Sequence, residues 1–294
     1  MNREKEIYRV TLLGTAINAL LVALKFVAGT VGRSSAMLAD AVHSLSDFLT
    51  DIVVLIFVRI SVKPKDKGHD YGHGKFETFA TLIIGVLLAV AGILLFVNGA
   101  EKVVACLRGE VQGPPEMLAL IIAVLSIVSK EWLYRFTVRR GRQLNSPAVE
   151  ANAWHHRSDA ISSIGTLVGV AGAMFLGTRW RILDPIAATV VSISIIKTAY
   201  DIMRPSVNEL LDSSLPDDVA RQITDIVTSV PGIVSIHNLR TRRIGSNIAI
   251  ELHARMDGHL TLTEAHALAS RAELLIKEHF GPQTLITIHM EPLK

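Results

Sequence analysis

The sequence predicts an all-α membrane domain of six spanning helices followed by a small α+β domain. Three observations carry this reading. Of 294 residues, 50% are hydrophobic and 19% charged, with a mean hydropathy of +0.39, whereas a soluble chain carries about 25% charged residues. Six stretches are long and apolar enough to cross a hydrocarbon layer of about 30 Å, which takes roughly 20 helical residues. After Pro205 the composition turns to that of a soluble unit with short alternating segments. This balance argues against a soluble enzyme. With 20 Gly and 10 Pro scattered through apolar runs, fibrous and disordered classes fail as well. The single cysteine, Cys106, excludes an intrachain disulfide framework and any Cys-based metal cluster within one chain.

The spans are expected near residues 8–30, 36–60, 78–100, 116–138, 157–177 and 182–203. The first follows Met-Asn-Arg-Glu-Lys-Glu with no small-residue cleavage site, so it reads as a retained helix. The N-terminus (Arg3, Lys5, Arg9), the second loop (Arg59, Lys63, Lys65, Lys67, Lys75) and the fourth loop (Arg135, Arg139, Arg140, Arg142) hold 12 basic residues. The opposite side has five: Arg33, Lys102, Arg108, Arg179 and Arg181. The positive-inside rule then expects both termini in the cytoplasm; the expected location is the cell inner (plasma) membrane, crossed several times. Residues 1–206 hold 22 Lys/Arg against 16 Asp/Glu, and residues 207–294 hold 8 against 11 with six of the 11 histidines. The basic excess therefore reports topology and not a nucleic-acid partner.

Two domains are expected, residues 1–206 spanning the membrane and 207–294 beyond it. In the second, Leu215–Val230 reads as an amphipathic helix ended by Pro231-Gly232. Ile233–Ile244 and Asn247–Met256 read as strands around Gly245-Ser246, a hairpin signal. Thr261-Leu-Thr-Glu264 is a capping box opening a helix to about Phe280. Thr284–Glu291 alternates as a last strand, giving the order α-β-β-α-β. So small a domain is marginal alone, and dimerisation or metal would help it.

Charges inside the apolar spans point to function. Asp40, His43, Asp47 and Asp51 are spaced three, four and four apart, so they line one face of the second helix. The fifth helix carries Trp154-His155-His156-Arg157-Ser158-Asp159, where His155 and Asp159 repeat the four-residue spacing. Ionisable groups at membrane depth are costly and normally face a pathway or a ligand. Two imidazoles and two carboxylates make a four-ligand set suited to Zn²⁺. The alternative is that these groups pair with Lys25, Lys130, Arg157 or Lys197 on neighbouring helices; Asp40 and Asp51 read as structural or vestibule residues. Asp66, His69 and His73 could close on one ion within an eight-residue loop, or be incidental in a solvated one. His289 and Glu291 share a face of the last strand, His253 shares one with Glu251, His237 sits near the first strand and His266 in the second helix. His259 and His279 read as ordinary surface histidines.

His-Ser-Leu-Ser-Asp at 43–47, Gly-His-Gly-Lys-Phe-Glu at 72–77 and His-His-Arg-Ser-Asp at 155–159, with six helices and a small C-terminal domain, resemble the cation diffusion facilitator family. The resemblance covers essentially the whole chain. It implies a Y-shaped homodimer in the lipid bilayer, with a metallochaperone-like α+β cytoplasmic domain, that exports divalent metal in exchange for protons. It implies that His43, Asp47, His155 and Asp159 are the transport site, of the zinc-type His/Asp plus His/Asp composition. It further implies a loop site at Asp66, His69 and His73, and cytoplasmic ligands at His237, His253, His266, His289 and Glu291. The family usually has aspartate where Glu291 stands. Lys75 is expected as a charge partner for Asp212, where the family interlocks its membrane and cytoplasmic parts.

A secondary transporter is thus the leading expectation, with Zn²⁺ as cargo and Cd²⁺, Fe²⁺ or Co²⁺ also compatible with nitrogen and oxygen ligands. There is no Walker motif to couple nucleotide, and no His-Glu-x-x-His for an intramembrane metalloenzyme. A passive channel is disfavoured because a chelating site binds too tightly for fast conduction.

Overall fold

Long apolar runs interrupted by Gly and Pro turns favour separate helices, and the computed structural model folds the first 210 residues into six of them. They are α1 (Arg3–Val31), α2 (Ser35–Ser61), α3 (Lys75–Leu107), α4 (Met117–Gln143), α5 (Pro147–Phe175) and α6 (Leu183–Leu210), with a short 3₁₀ turn at Thr178–Trp180. Then follow α7 (Asp217–Thr228), β1 (Ile233–Ile244), β2 (Asn247–Met256), α8 (Leu262–Phe280) and β3 (Leu285–Pro292). The structure describes residues 3–61, 63, 65–110, 113–143, 147–245 and 247–293, with side chains from residue 9 onward except 50–61, 147, 148, 150 and 151. The Asp51 side chain and Ser246 of the expected hairpin turn lie outside these.

Among the described residues, the stretches Arg9–Val31, Lys75–Leu107, Met117–Gln143, Asn152–Phe175 and Thr178–Leu210 are long and apolar enough to cross a membrane. The remaining long helix, α2, has 27 residues, and its acidic residues lie in its first 17. Several helices outrun the apolar windows that predicted them. α6 continues through Pro205, where the sequence expected its end, to Leu210. A proline removes one backbone donor, and here the Ser206 hydroxyl donates to the Ile202 carbonyl in the same turn.

The chain divides into two compact units, residues 1–52 with 84–201, and residues 53–83 with 202–294. The first is held largely by small side chains: Ala28, Ala36, Met37, Ala119, Ile122, Ala123 and Val170 form one buried cluster. Small residues let helix backbones approach where lipid offers no hydrophobic drive. A Cβ at Gly29 would lie 2.8 Å from the Leu38 nitrogen. The N–H groups that open α2, which have no partner within the helix, are capped from another helix. Asp184 of α6 accepts from Ser34 Oγ (2.5 Å), Ser35 N (2.7 Å) and Ala36 N (3.4 Å), satisfying donors that a helix start leaves unpaired.

In the second unit, β1 pairs antiparallel with β2, and β2 pairs parallel with β3. One sheet face meets α7 and α8 over a core of Ile223, Val227, Ile250, Leu252, Ala254, Met256, Ala272 and Ile276. The Thr261–Glu264 capping box forms as the sequence expected, with both reciprocal bonds present. The β1–β2 turn is tied to the ends of α3 and α6. Glu209 Oε1 accepts from Gly245 N (2.6 Å) and Thr78 Oγ1 (2.8 Å). Lys75 Nζ donates to Asp212 Oδ1 at 2.7 Å, and Arg242 Nη1 lies 3.6 Å from Asp212 Oδ2.

Gly245 sits at φ +61°, and a Cβ there would stand 2.8 Å from the Gly74 carbonyl oxygen. Gly245→Val is therefore expected to cost about 2 kcal/mol or more through left-handed strain and collision with Gly74, read as a lower thermal midpoint of the detergent-solubilised chain. The hydrogen bond from Lys75 holds the Asp212 carboxyl below the usual carboxylate range, helped by the charges of Lys75 and Arg242. Its stabilisation is present above the unfolded value of about 3.9 and lost as pH falls through the lower folded value. With 35% and 46% of the two side chains exposed, the effect stays below about 1 kcal/mol. Asp212→Asn should lower the midpoint slightly at pH 7, and the difference from the parent chain should close on acidification.

Candidate metal centres

The first cluster belongs to α2 and α5. A spacing of four along α2 stacks His43 and Asp47 one turn apart, and Asp159 of α5 meets them. Ligand atoms of His43, Asp47 and Asp159 all lie within 4.8 Å of one another. His43 Nδ1 and Asp47 Oδ2 are buried without a hydrogen-bond partner among the described residues. Orphaned polar atoms in a low-dielectric interior are costly and call for a missing partner. His155 is not in this group. Its side chain is 48% exposed, with Nε2 3.8 Å from Asp159 Oδ2. That same oxygen accepts a 2.9 Å hydrogen bond from Lys130 Nζ of α4.

Two features escaped the sequence reading. His156, beside His155, is buried with neither ring nitrogen hydrogen-bonded among the described residues, and it packs beside Gly14 of α1, where a Cβ would lie at an ordinary contact distance of 3.5 Å from His156 Nε2. Adjacent histidines project about 100° apart on a helix, but one sequence does not say which of the two faces inward. The other is the depth of the lysine pairing. Lys25 Nζ lies 2.7 Å from Asp40 Oδ2, with side chains 0% and 2% exposed. Lys25 also donates to Ser44 Oγ (3.0 Å) and Ser163 Oγ (3.3 Å), and Ser163 Oγ donates to Asp40. Asp40 is thus a partner in a buried ion pair.

The loop cluster forms by local turns. Asp66 Oδ1 accepts from Gly68 N and His69 N, each at 2.9 Å. His69 Nδ1 and His73 Nε2 each stand 3.3 Å from an Asp66 oxygen. The Gly68 backbone bond, then the contacts with His69, keep the Asp66 carboxyl below its ordinary range. Ligand atoms of Asp66, His69 and His73 all fall within 4.8 Å.

The third cluster is a product of strand register. His237 pairs with His253 across β1–β2, and His253 with His289 across β2–β3. One row of imidazoles therefore crosses the sheet face opposite α7 and α8, with Glu291 two residues beyond His289. Glu291 Oε1 lies 2.7 Å from His253 Nδ1 and 3.8 Å from His289 Nε2, and Oε2 lies 3.2 Å from His237 Nε2. These contacts, led by the His253 bond, hold the Glu291 carboxyl below its usual range. His237, His253 and Glu291 bring ligand atoms within 4.8 Å. His266 stays apart, exposed on α8, its Nε2 3.5 Å from Ser270 Oγ.

Known proteins share this organisation. Residues 11–211 match the family profile described as the cation efflux transmembrane domain, and residues 215–293 match that of the cation efflux protein cytoplasmic domain. The manganese efflux system protein MneP of Bacillus subtilis is 31% identical over 99% of this chain and 97% of its own. Metal tolerance protein C1 of Arabidopsis thaliana is 35% identical over 95% of this chain and 61% of its own. The cation-efflux pump FieF of Escherichia fergusonii is 31% identical over 97% and 92%. The chain belongs to the cation diffusion facilitator family, whose members are membrane transporters of metal cations and not enzymes.

Proposed function

We propose that this chain exports divalent transition-metal ions, Zn²⁺ foremost, from the cytoplasm in exchange for protons. It works as a homodimer in the cell's plasma membrane with both termini cytoplasmic. The observation that carries this reading is the convergence of His43, Asp47 and Asp159, with His43 Nδ1 and Asp47 Oδ2 buried and without a hydrogen-bond partner among the described residues. Two carboxylates supply the charge a dication needs in low dielectric, and an imidazole supplies a borderline nitrogen donor. His155 completes the set when its ring turns in beside Asp159. Imidazole ligates only when neutral, so a proton and a metal ion exclude each other at His43, which is the basis for exchange. Small helix movements around such a site alternate its access.

A second ion has its own support. With His155 outside the three-residue group, carboxylates outnumber imidazoles two to one, and oxygen-rich sets suit Mn²⁺. MneP, similar over 99% of this chain, is named for manganese efflux. A panel of Zn²⁺, Mn²⁺, Fe²⁺, Co²⁺ and Cd²⁺ in proteoliposomes, with internal metal and pH read together, ranks the ions. A flux with no opposing proton movement would sink the exchange.

The row His237, His253 and His289 with Glu291 is a regulatory site in this reading, as is Asp66, His69 and His73. Both lie off the apolar spans, so an ion bound there is not crossing. Metal that prefers one arrangement of the domains stabilises it by linkage.

Asp47→Asn and Asp159→Asn should each reduce flux at least about 100-fold while leaving a folded dimer, because each removes half the neutralising charge; near-normal flux in either would refute the site. His253→Ala with His289→Ala should shrink the rise in thermal midpoint that Zn²⁺ gives the full chain and lower transport without abolishing it. An unchanged Zn²⁺-induced rise would remove the regulatory site.

A further inference from the structure

Two lysines are buried in the membrane unit, and they are held very differently. Lys25 uses its three donors on Asp40, Ser44 and Ser163 at 2.7, 3.0 and 3.3 Å. It is a satisfied structural cation. Lys130 sits equally deep, its side chain 4% exposed, yet among the described residues it has one hydrogen-bond partner, Asp159 Oδ2 at 2.9 Å. An ammonium carries three donors, and burial with two of them unused is unfavourable unless a strong charge holds it. That charge is the carboxylate whose ligand atom lies within 4.8 Å of those of His43 and Asp47.

We propose that Lys130 is a tethered counter-cation of the transport site, one that occupies Asp159 when no metal is bound and competes with the metal for it. The proposal rests on the reading of His43, Asp47 and Asp159 as the transport site. The competition follows from charge. Two carboxylates and one ammonium leave the empty site one unit negative, where without the lysine it would carry two. An arriving dication takes Asp159 only by displacing the ammonium, whose flexible four-carbon stem lets it withdraw without moving α4. When access switches, Lys130 returns to Asp159 and helps expel the ion. Lys130 is thus a positioning residue that weakens binding and speeds release, which a carrier needs and a storage site does not.

The test measures Zn²⁺ flux and thermal midpoint for the full chain and for Lys130→Met, Lys130→Gln and Lys130→Arg, with Asp159→Asn beside them. Both neutral variants should lower KM about tenfold, the equivalent of about 1.4 kcal/mol, and lower the maximal rate as release slows. Their midpoints should rise more with Zn²⁺ than the parent's, because the bound ion replaces the missing charge. Lys130→Arg keeps the charge and should stay near the parent in KM. Should Lys130→Met not fold, Lys130→Gln carries the same expectation in a polar side chain. An unchanged or higher KM in a folded neutral variant overturns the proposal. So does an arginine variant shifted as far as the neutral ones, since packing and not charge would then be at work. If Asp159→Asn stops flux while KM ignores the lysine, only the counter-cation falls; if Asp159→Asn transports normally, the transport site falls and this proposal with it.

Discussion

A carboxylate placed between membrane helices has to be neutralised on the spot, and most of the first unit follows from that constraint. Desolvation costs several kcal/mol for each buried ion. The gross attraction across the 2.9 Å Lys130–Asp159 contact is about 6 kcal/mol at an effective dielectric near 20. Such a pair roughly breaks even, whereas a single unpaired carboxylate does not. Asp40 meets the requirement with Lys25 and the Ser163 hydroxyl, Asp184 with backbone and hydroxyl donors that open α2, and Asp159 with Lys130. Asp47 differs, since its Oδ2, like His43 Nδ1, is buried without a hydrogen-bond partner among the described residues.

The second unit solves a different problem with a different device. Its three strands bury one face against α7 and α8, so side chains on the other face alternate out of the core. Register then does the work of a binding loop. His237, His253 and His289 fall opposite one another because β1 is antiparallel and β2 and β3 are parallel at that row. A one-residue slip of either strand would send its histidine into the core face. The register that builds the hydrophobic core therefore also fixes the imidazole row.

This difference decides what could be read from sequence. Periodicity and turn chemistry placed β1 and β2 at their observed bounds, and the capping box marked the start of α8 to the residue, because these signals are local. The four-residue spacing of His43 and Asp47 likewise set them on one face before any packing was known. Rotation of α5 about its axis was not local information. It is set by packing against α1 and α4, where His156 lies beside Gly14, and it leaves His155 half exposed beside Asp159. The lysines were legible as potential partners but not as different kinds of partner, since the number of hydroxyls around each depends on three helices at once. His266 met the same limit, because strand register says nothing about where a helical histidine will face.

Each of the three clusters sets carboxylate beside imidazole, and they differ in what holds the carboxylate while it waits. Asp66 is held by two backbone amides of its own turn, and Glu291 by the imidazoles themselves. Both are exposed enough for water to share the task, so an arriving ion displaces little. Asp159 is dry, and its holder is a full positive charge. Any ion taking its place must beat an ammonium. Binding there is consequently weaker, at equal ligand number, than the ligands alone would give. On the proposed reading, weaker binding at the cluster of α2 and α5, with ligands less hindered at the other two, is the ordering expected where ions pass through the first and report through the others.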